Sequence, residues 1–262
     1  MLIPGSYIDH NWYKTSEAKD VMQATIKDQQ NRKYFGLLER PSVHSQPDID
    51  EYKYKVFVCG KTAVGKTSLI AKLAGLEIPS THSETPGIQA TDVFWPAFVK
   101  QCNKPVMFQL QFWDAGAQAI KKYDHILPAC KDRLDCVLFL FSYVDKSSCE
   151  DLKKQMSRIT EPKDNMCKII IGTKFDQHAH SEVSLRELKQ FEDTWKLPVL
   201  RVKNVPVFHP SETRSELGEV APILNLLCEY LWERDLILAD GSRIEDTEND
   251  DTSSLRDPSF YV

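Results

Sequence analysis

Eight residues limit what this chain can fold into more than any others: Gly60-Lys61-Thr62-Ala63-Val64-Gly65-Lys66-Thr67. They match the pattern G-x-x-x-x-G-K-[ST]. They stand between an apolar stretch at 53–59 that reads as a strand and a helical pattern at 67–76. Glycines let a loop there curl so that successive N–H groups point inward around a phosphate chain. The following helix adds the positive end of its dipole. Lys66 is placed to neutralise β- and γ-phosphates, and the Thr67 hydroxyl to bind Mg²⁺. The phosphate contacts expected are therefore Gly60, Thr62, Ala63, Val64, Gly65, Lys66, Thr67 and Ser68.

A second segment selects the base. Thr173-Lys174-Phe175-Asp176 follows the apolar run 167–172, at the carboxyl end of a buried strand. Ligands bind at those ends in open α/β sheets. The Asp176 carboxylate can accept two hydrogen bonds, from the N1–H and the exocyclic amine of guanine. Adenine offers no such pair, so the same carboxylate would lose both partners. The aliphatic stem of Lys174 can lie along the base. Asp114, in Phe112-Trp113-Asp114-Ala115-Gly116-Ala117-Gln118, is expected to hold Mg²⁺ through water. Between these segments, Ser83-Glu84-Thr85-Pro86-Gly87-Ile88 is a turn-rich loop. Thr85 is its candidate metal ligand and γ-phosphate sensor.

The remaining pattern alternates strand and helix. Residues 89–100 and 106–112 alternate polar and apolar around a short turn, which predicts a hairpin. Residues 135–143 and 167–173 are continuous apolar runs of the central-strand kind. Helical stretches at 147–159 and 183–195, a last strand at 197–203 and a helix at 219–232 follow. The spacing predicts an α/β fold, a six-stranded mostly parallel sheet with helices on both faces, over residues 52–235. Residues 1–51 read as an extension with one helix starting near Ser16 and a linker around Pro41 and Pro47. Residues 236–262 read as an acidic, disordered tail.

The three nucleotide segments together resemble the Ras superfamily of small GTPases over residues 52–235. Further stretches resemble a Rab-like branch tied to the ciliogenesis and planar polarity effector group. These are Phe35-Gly36-Leu37-Leu38-Glu39-Arg40-Pro41, Ala71-Lys72-Leu73-Ala74-Gly75-Leu76-Glu77, Thr85-Pro86-Gly87-Ile88-Gln89, Phe94-Trp95-Pro96-Ala97 and Leu200-Arg201-Val202-Lys203. The resemblance implies GTP/GDP and Mg²⁺ as ligands, and a role in cilium assembly with vesicle and cargo traffic, including exocytosis. It also implies a cytoplasmic protein at the cytoskeleton and cilium basal body, and the Fuzzy and Inturned proteins as partners. Neither an exchange factor nor a GTPase-activating protein can be named from it. Within that family Ala117 stands where a glycine N–H normally meets the γ-phosphate, the glycine having moved to Gly116. Gln118 stands where the family places its water-positioning glutamine. Thr173 replaces the usual Asn. Arg201-Val202-Lys203 replaces the Ser-Ala-Lys loop, with the Val202 N–H expected to donate to the guanine carbonyl and Lys203 beside it. Slow intrinsic hydrolysis is expected, because a Cβ at Ala117 would restrict the backbone turn and no arginine finger in cis is evident. An aromatic platform at Phe94, Trp95 and Phe98 is expected to meet effectors or to be half-buried.

Composition excludes several other classes. A net charge of −5 argues against binding nucleic acid by phosphate neutralisation. The longest apolar run, 136–141, is far too short to span a membrane. Seven cysteines without a Cys-x-x-Cys pair read as reduced thiols of a cytosolic protein. Neither a signal peptide nor a lipid-anchor cysteine is visible, so membrane contact is expected only through partners. His178 and His180 lack the companions of a metal site and read as solvated. Two alternatives stay open: a constitutively GTP-bound scaffold, and an ATP-dependent kinase, which would need an arginine-rich lid.

Overall fold

A computed structural model describes residues 3–25, 49–79, 81, 83–123, 125–161, 163–205 and 213–253. The linker expected at Pro41 and Pro47, and the stretch 35–41, lie outside the described residues.

The elements run α1 (Ser16–Thr25), β1 (Glu51–Gly60), α2 (Lys66–Leu73), β2 (Ile88–Val99), β3 (Lys104–Ala115), α3 (Ala117–Lys122) and α4 (Ile126–Lys131). They continue through β4 (Cys136–Ser142), α5 (Lys146–Ile159), β5 (Cys167–Thr173), α6 (Leu185–Trp195), β6 (Val199–Arg201) and α7 (Thr213–Ser253). One sheet has the order β2-β3-β1-β4-β5-β6. The β2–β3 hairpin is antiparallel and every other pairing parallel. This is the doubly covered sheet expected from the sequence.

Alternation along the central strands divides the core. Val56, Val58, Leu138 and Leu140 face one layer, with Leu69 and Leu73 of α2 and Leu224, Leu227 and Leu231 of α7. Phe57, Cys59, Val137 and Phe139 face the other, with Leu152 and Met156 of α5 and Leu188 and Phe191 of α6. A strand buried on both faces must be apolar at every position, which is why β4 reads as an unbroken run. The layers leave the carboxyl ends of β1, β3, β4 and β5 together at one edge.

The N-terminal extension is docked on the sheet. Ile8 bridges Val99, and the Asp9 N–H donates to the Phe98 carbonyl at 3.0 Å. The wholly buried Glu229 carboxylate of α7 accepts from the N–H groups of Gly5 and Tyr7, both at 2.8 Å, and of Ile8 at 3.3 Å. His10 Nε2 lies 2.7 Å from the same carboxylate. The boundary expected at residue 235 falls inside α7, which runs on to Ser253.

The aromatic platform is corrected by the packing. Trp95 is 1% exposed, and its Nε1 donates to Asn225 of α7 at 2.8 Å. Phe94, 2% exposed, packs on Met107 and Ile49. Both are core residues, held from opposite faces of β2, and neither can meet a partner.

Candidate nucleotide and metal site

The loop after β1 is shaped by its backbone. Ala63 and Gly65 both have left-handed conformations, with φ of 63° and 95°. Such alternation turns main-chain N–H groups to one side and makes an anion-binding concavity. Gly60 is needed for space: a Cβ there would stand 2.7 Å from the Leu140 carbonyl and 2.9 Å from the Val64 side chain. Gly65 then caps α2, whose first residue is Lys66.

Lys66 is 8% exposed, and its Nζ donates to the Gly60 and Lys61 carbonyls, each at 3.1 Å. Burial holds its pKa below the usual lysine value, against the opposing pull of Asp114, Cys59 and Glu84. An ammonium whose hydrogen-bond partners among the described residues are carbonyls is suited to an incoming polyanion, which would favour its charged form. Lys61 ties the loop to α5 by donating to Asp145, the N-cap of that helix, at 3.3 Å.

Thr67, Thr85 and Asp114 converge. Thr67 Oγ1 donates to Asp114 Oδ2, and Thr85 Oγ1 donates to the same oxygen at 3.0 Å. The two threonine hydroxyls are 3.4 Å apart. Asp114 is 2% exposed, yet its Oδ1 has no hydrogen-bond partner among the described residues. An unpaired buried carboxylate oxygen is costly, and hard oxygen donors around it fit Mg²⁺ and its bound waters.

The loop at 83–88 and the segment at 116–118 are packed together here. The Gly116 N–H donates to the Gly87 carbonyl at 3.1 Å. Glu84 accepts from the Gln118 N–H at 2.9 Å. Gly116 has φ −60° and ψ 131°, which any residue can adopt. The glycine is required by proximity, because a Cβ would lie 2.1 Å from the Thr85 carbonyl. Ala117 opens α3 as an ordinary helical residue, so its Cβ does not restrict the turn.

These residues enclose a cavity of about 380 Å³, lined by Thr62, Ala63, Gly65, Lys66, Thr67, Ser68, Glu84, Thr85, Gly116, Ala117 and Lys174, among others. Gly60 and Val64 lie beneath the loop, Val64 being 1% exposed. Gln118 is exposed and outside the lining.

At the base end, Thr173 is fully buried. Its hydroxyl faces the carbonyls of Val64 and Phe141, so it braces the phosphate loop and does not reach the cavity. Lys174 sits in a left-handed conformation at the cavity edge, and Asp176 is exposed in the 3-10 turn Phe175–His180. The Val202 N–H, expected to be free for a guanine carbonyl, donates instead to the Gly172 carbonyl at 2.8 Å as the sheet's last bond. Lys203 is exposed, its carbonyl accepting from Lys72. Asn204 was not anticipated: its Nδ2 lies 3.5 Å from the Gly65 carbonyl. His178 and His180 are exposed, and no metal-holding cluster of His, Cys, Asp or Glu occurs among the described residues.

Residues 55–203 match the model of the Ras family. The chain belongs to the Ras family. It is 46% identical to "Ciliogenesis and planar polarity effector 2" of Xenopus tropicalis, over 90% of this chain and 94% of the relative. Identity to the Homo sapiens protein of that name is 46%, covering 90% and 93%. Identity to the Danio rerio one is 42%, covering 92% of each. The Ras-family match ends at the base segment, whereas the match to these relatives extends beyond it on both sides. Among the described residues, no helix is long and apolar enough to cross a membrane.

Proposed function

We propose that this protein is a guanine-nucleotide-binding switch acting in cilium assembly and planar polarity. The observation that carries the nucleotide reading is the convergence of Thr67 and Thr85 on Asp114, whose second oxygen is buried and unpaired. That arrangement stands beside a loop with alternating left-handed residues and a buried lysine. The reading of the cellular role rests on relatives matched over about nine-tenths of the chain.

Mg²⁺ would be held by Thr67 and Thr85, with Asp114 acting through water, and would supply charge neutralisation between β- and γ-phosphates. The chain's own part is positional. The phosphate loop donates N–H groups, Lys66 adds a buried cation, Asp176 selects guanine, and Thr85 links the metal to the loop at 83–88. Fuzzy and Inturned are the proposed partners, reading a surface around Thr85 and Trp113 in the GTP state. The earlier candidates Phe94 and Trp95 are excluded from that surface by burial. With a net charge of −5 the protein as a whole is repelled by an anionic leaflet, so recruitment to vesicles or the basal body is proposed to run through partners.

Chromatography of nucleotide released from protein purified without added ligand tests the site. GTP or GDP is expected, and an adenine nucleotide or none would overturn the reading. Capture of the partner pair by GTP-loaded but not GDP-loaded protein tests the switch. Loss of cilia on depletion tests the role. A second reading, a GTP-bound scaffold that scarcely cycles, is favoured by Gln118, whose side chain is outside the cavity lining. Single-turnover hydrolysis separates the two: about 10⁻⁴ per second or slower is expected without assistance.

A further inference from the structure

In nucleotide switches of this kind the two mobile loops are ordered by contacts to the γ-phosphate and Mg²⁺, and are released when those contacts go. Here the loops are joined to each other directly. Glu84 accepts from the Gln118 N–H at 2.9 Å, Gly116 donates to Gly87 at 3.1 Å, and the Thr85 carbonyl rests where a Gly116 side chain would be. None of these contacts involves a nucleotide. Only the first is charge-assisted, and such bonds are about twice as strong as neutral ones. Glu84 also lines the cavity that holds Lys66, and its negative charge acts on that ammonium, less strongly than Asp114 does.

We infer that Glu84 is a latch between the two switch loops, holding the Gln118 backbone in the closed arrangement without the γ-phosphate. It is a positioning residue, acting through the main chain at the start of α3. Two consequences follow. The closed surface persists in the GDP state, so the difference a partner can read between GDP and GTP is narrowed, because a ligand shifts an equilibrium only by its differential interaction with the two states. The terminal phosphate of GTP meets a carboxylate already in place, which lowers the preference for GTP over GDP. This inference rests on the reading of the site as a guanine-nucleotide switch.

The test is site-resolved amide exchange of the full chain, loaded with GDP or with the non-hydrolysable analogue GppNHp, in wild type, Glu84→Ala and Glu84→Gln. In wild type the Gln118 amide should be protected in both states. Glu84→Ala should accelerate its exchange about tenfold with GDP, and much less with GppNHp, the size expected for losing one charge-assisted bond. Glu84→Gln, which keeps an acceptor, should fall between. Far-ultraviolet circular dichroism and the thermal midpoint should match wild type, showing that the variants fold, while the GppNHp-to-GDP affinity ratio rises in both. An unprotected Gln118 amide in GDP-loaded wild type would overturn the latch, as would equal acceleration in both states or none. If the wild type retained no guanine nucleotide, the site's proposed function would fall, but the Gln118 comparison in unloaded protein would still decide the latch.

Discussion

Replacing Gly116 by alanine isolates the contact between the two switch loops. The glycine's φ of −60° and ψ of 131° are open to alanine, so the substitution brings no backbone strain. What it brings is a Cβ at 2.1 Å from the Thr85 carbonyl oxygen and 3.2 Å from its carbon. The obstacle is main chain and cannot rotate aside, so the Thr85 segment must retreat by roughly 1 Å or more to restore ordinary contact. That movement breaks the 3.0 Å bond from Thr85 Oγ1 to Asp114 and withdraws the hydroxyl from the metal position. A hydrogen bond to a charged group contributes about 1.5–3 kcal/mol. Binding of Mg²⁺–GTP should therefore weaken by roughly tenfold to a hundredfold. The phosphate loop, Lys174 and Asp176 do not touch Gly116, so GDP affinity should move by less than about threefold. Titration of fluorescent GppNHp and GDP in the presence of Mg²⁺ measures both. An equal fall for the two nucleotides, or no fall for GppNHp, would refute the argument that Gly116 serves the approach of Thr85.

The other predictions concern residues elsewhere in the site and fold. Asp176→Asn should lower GTP affinity at least about a hundredfold and favour xanthosine nucleotides, whose edge exchanges donor for acceptor, as competition binding would reveal. Unchanged GTP affinity would remove the guanine assignment. Thr67→Asn should weaken GTP more than GDP, because the Mg²⁺ that Thr67 would hold would neutralise the added charge of the γ-phosphate; isothermal titration with each nucleotide checks it. Glu229→Ala strands the three N–H groups and His10 that its buried carboxylate satisfies. Urea unfolding should show a loss of about 3–5 kcal/mol, and a loss below about 1 kcal/mol would mean that the N-terminal segment is not held there.

How much of this was legible in the sequence depended on how local each signal was. The phosphate loop, β4, β5 and the hairpin were readable because a motif of eight residues, or a run of alternating or unbroken apolar residues, is written in neighbouring positions. The helices α3 and α4 were missed: each has six residues, too few to show a helical period. Trp95 and Phe94 were legible as a strand but not as core. What covers them, α7 on one side and Ile49 on the other, comes from distant sequence. Glu229 gave no signal at all, since a lone acid in an apolar helix reads as a solvated position until the segment it anchors is in place. The Val202 N–H was assigned from the family's Ser-Ala-Lys loop, and the register of β6 against β5 decided otherwise.

That register has a consequence for how the base is held. With the Val202 N–H spent on the sheet and the Thr173 hydroxyl facing main-chain carbonyls, two groups expected at the guanine edge are committed to bracing the protein. Both braces end on elements that position the phosphate loop or the base turn: Thr173 on Val64, and Val202 on Gly172 and, through its carbonyl, on the Phe175 N–H at 3.2 Å. The base turn is thus tied to the sheet by main-chain bonds, and the loop at 83–88 is tied to the segment at 116–118. A guanine nucleotide entering this site would meet a base turn and a phosphate loop already shaped for it. In the proposed switch, the contacts that a γ-phosphate would alter are those of Thr85, Asp114 and the loop around Glu84.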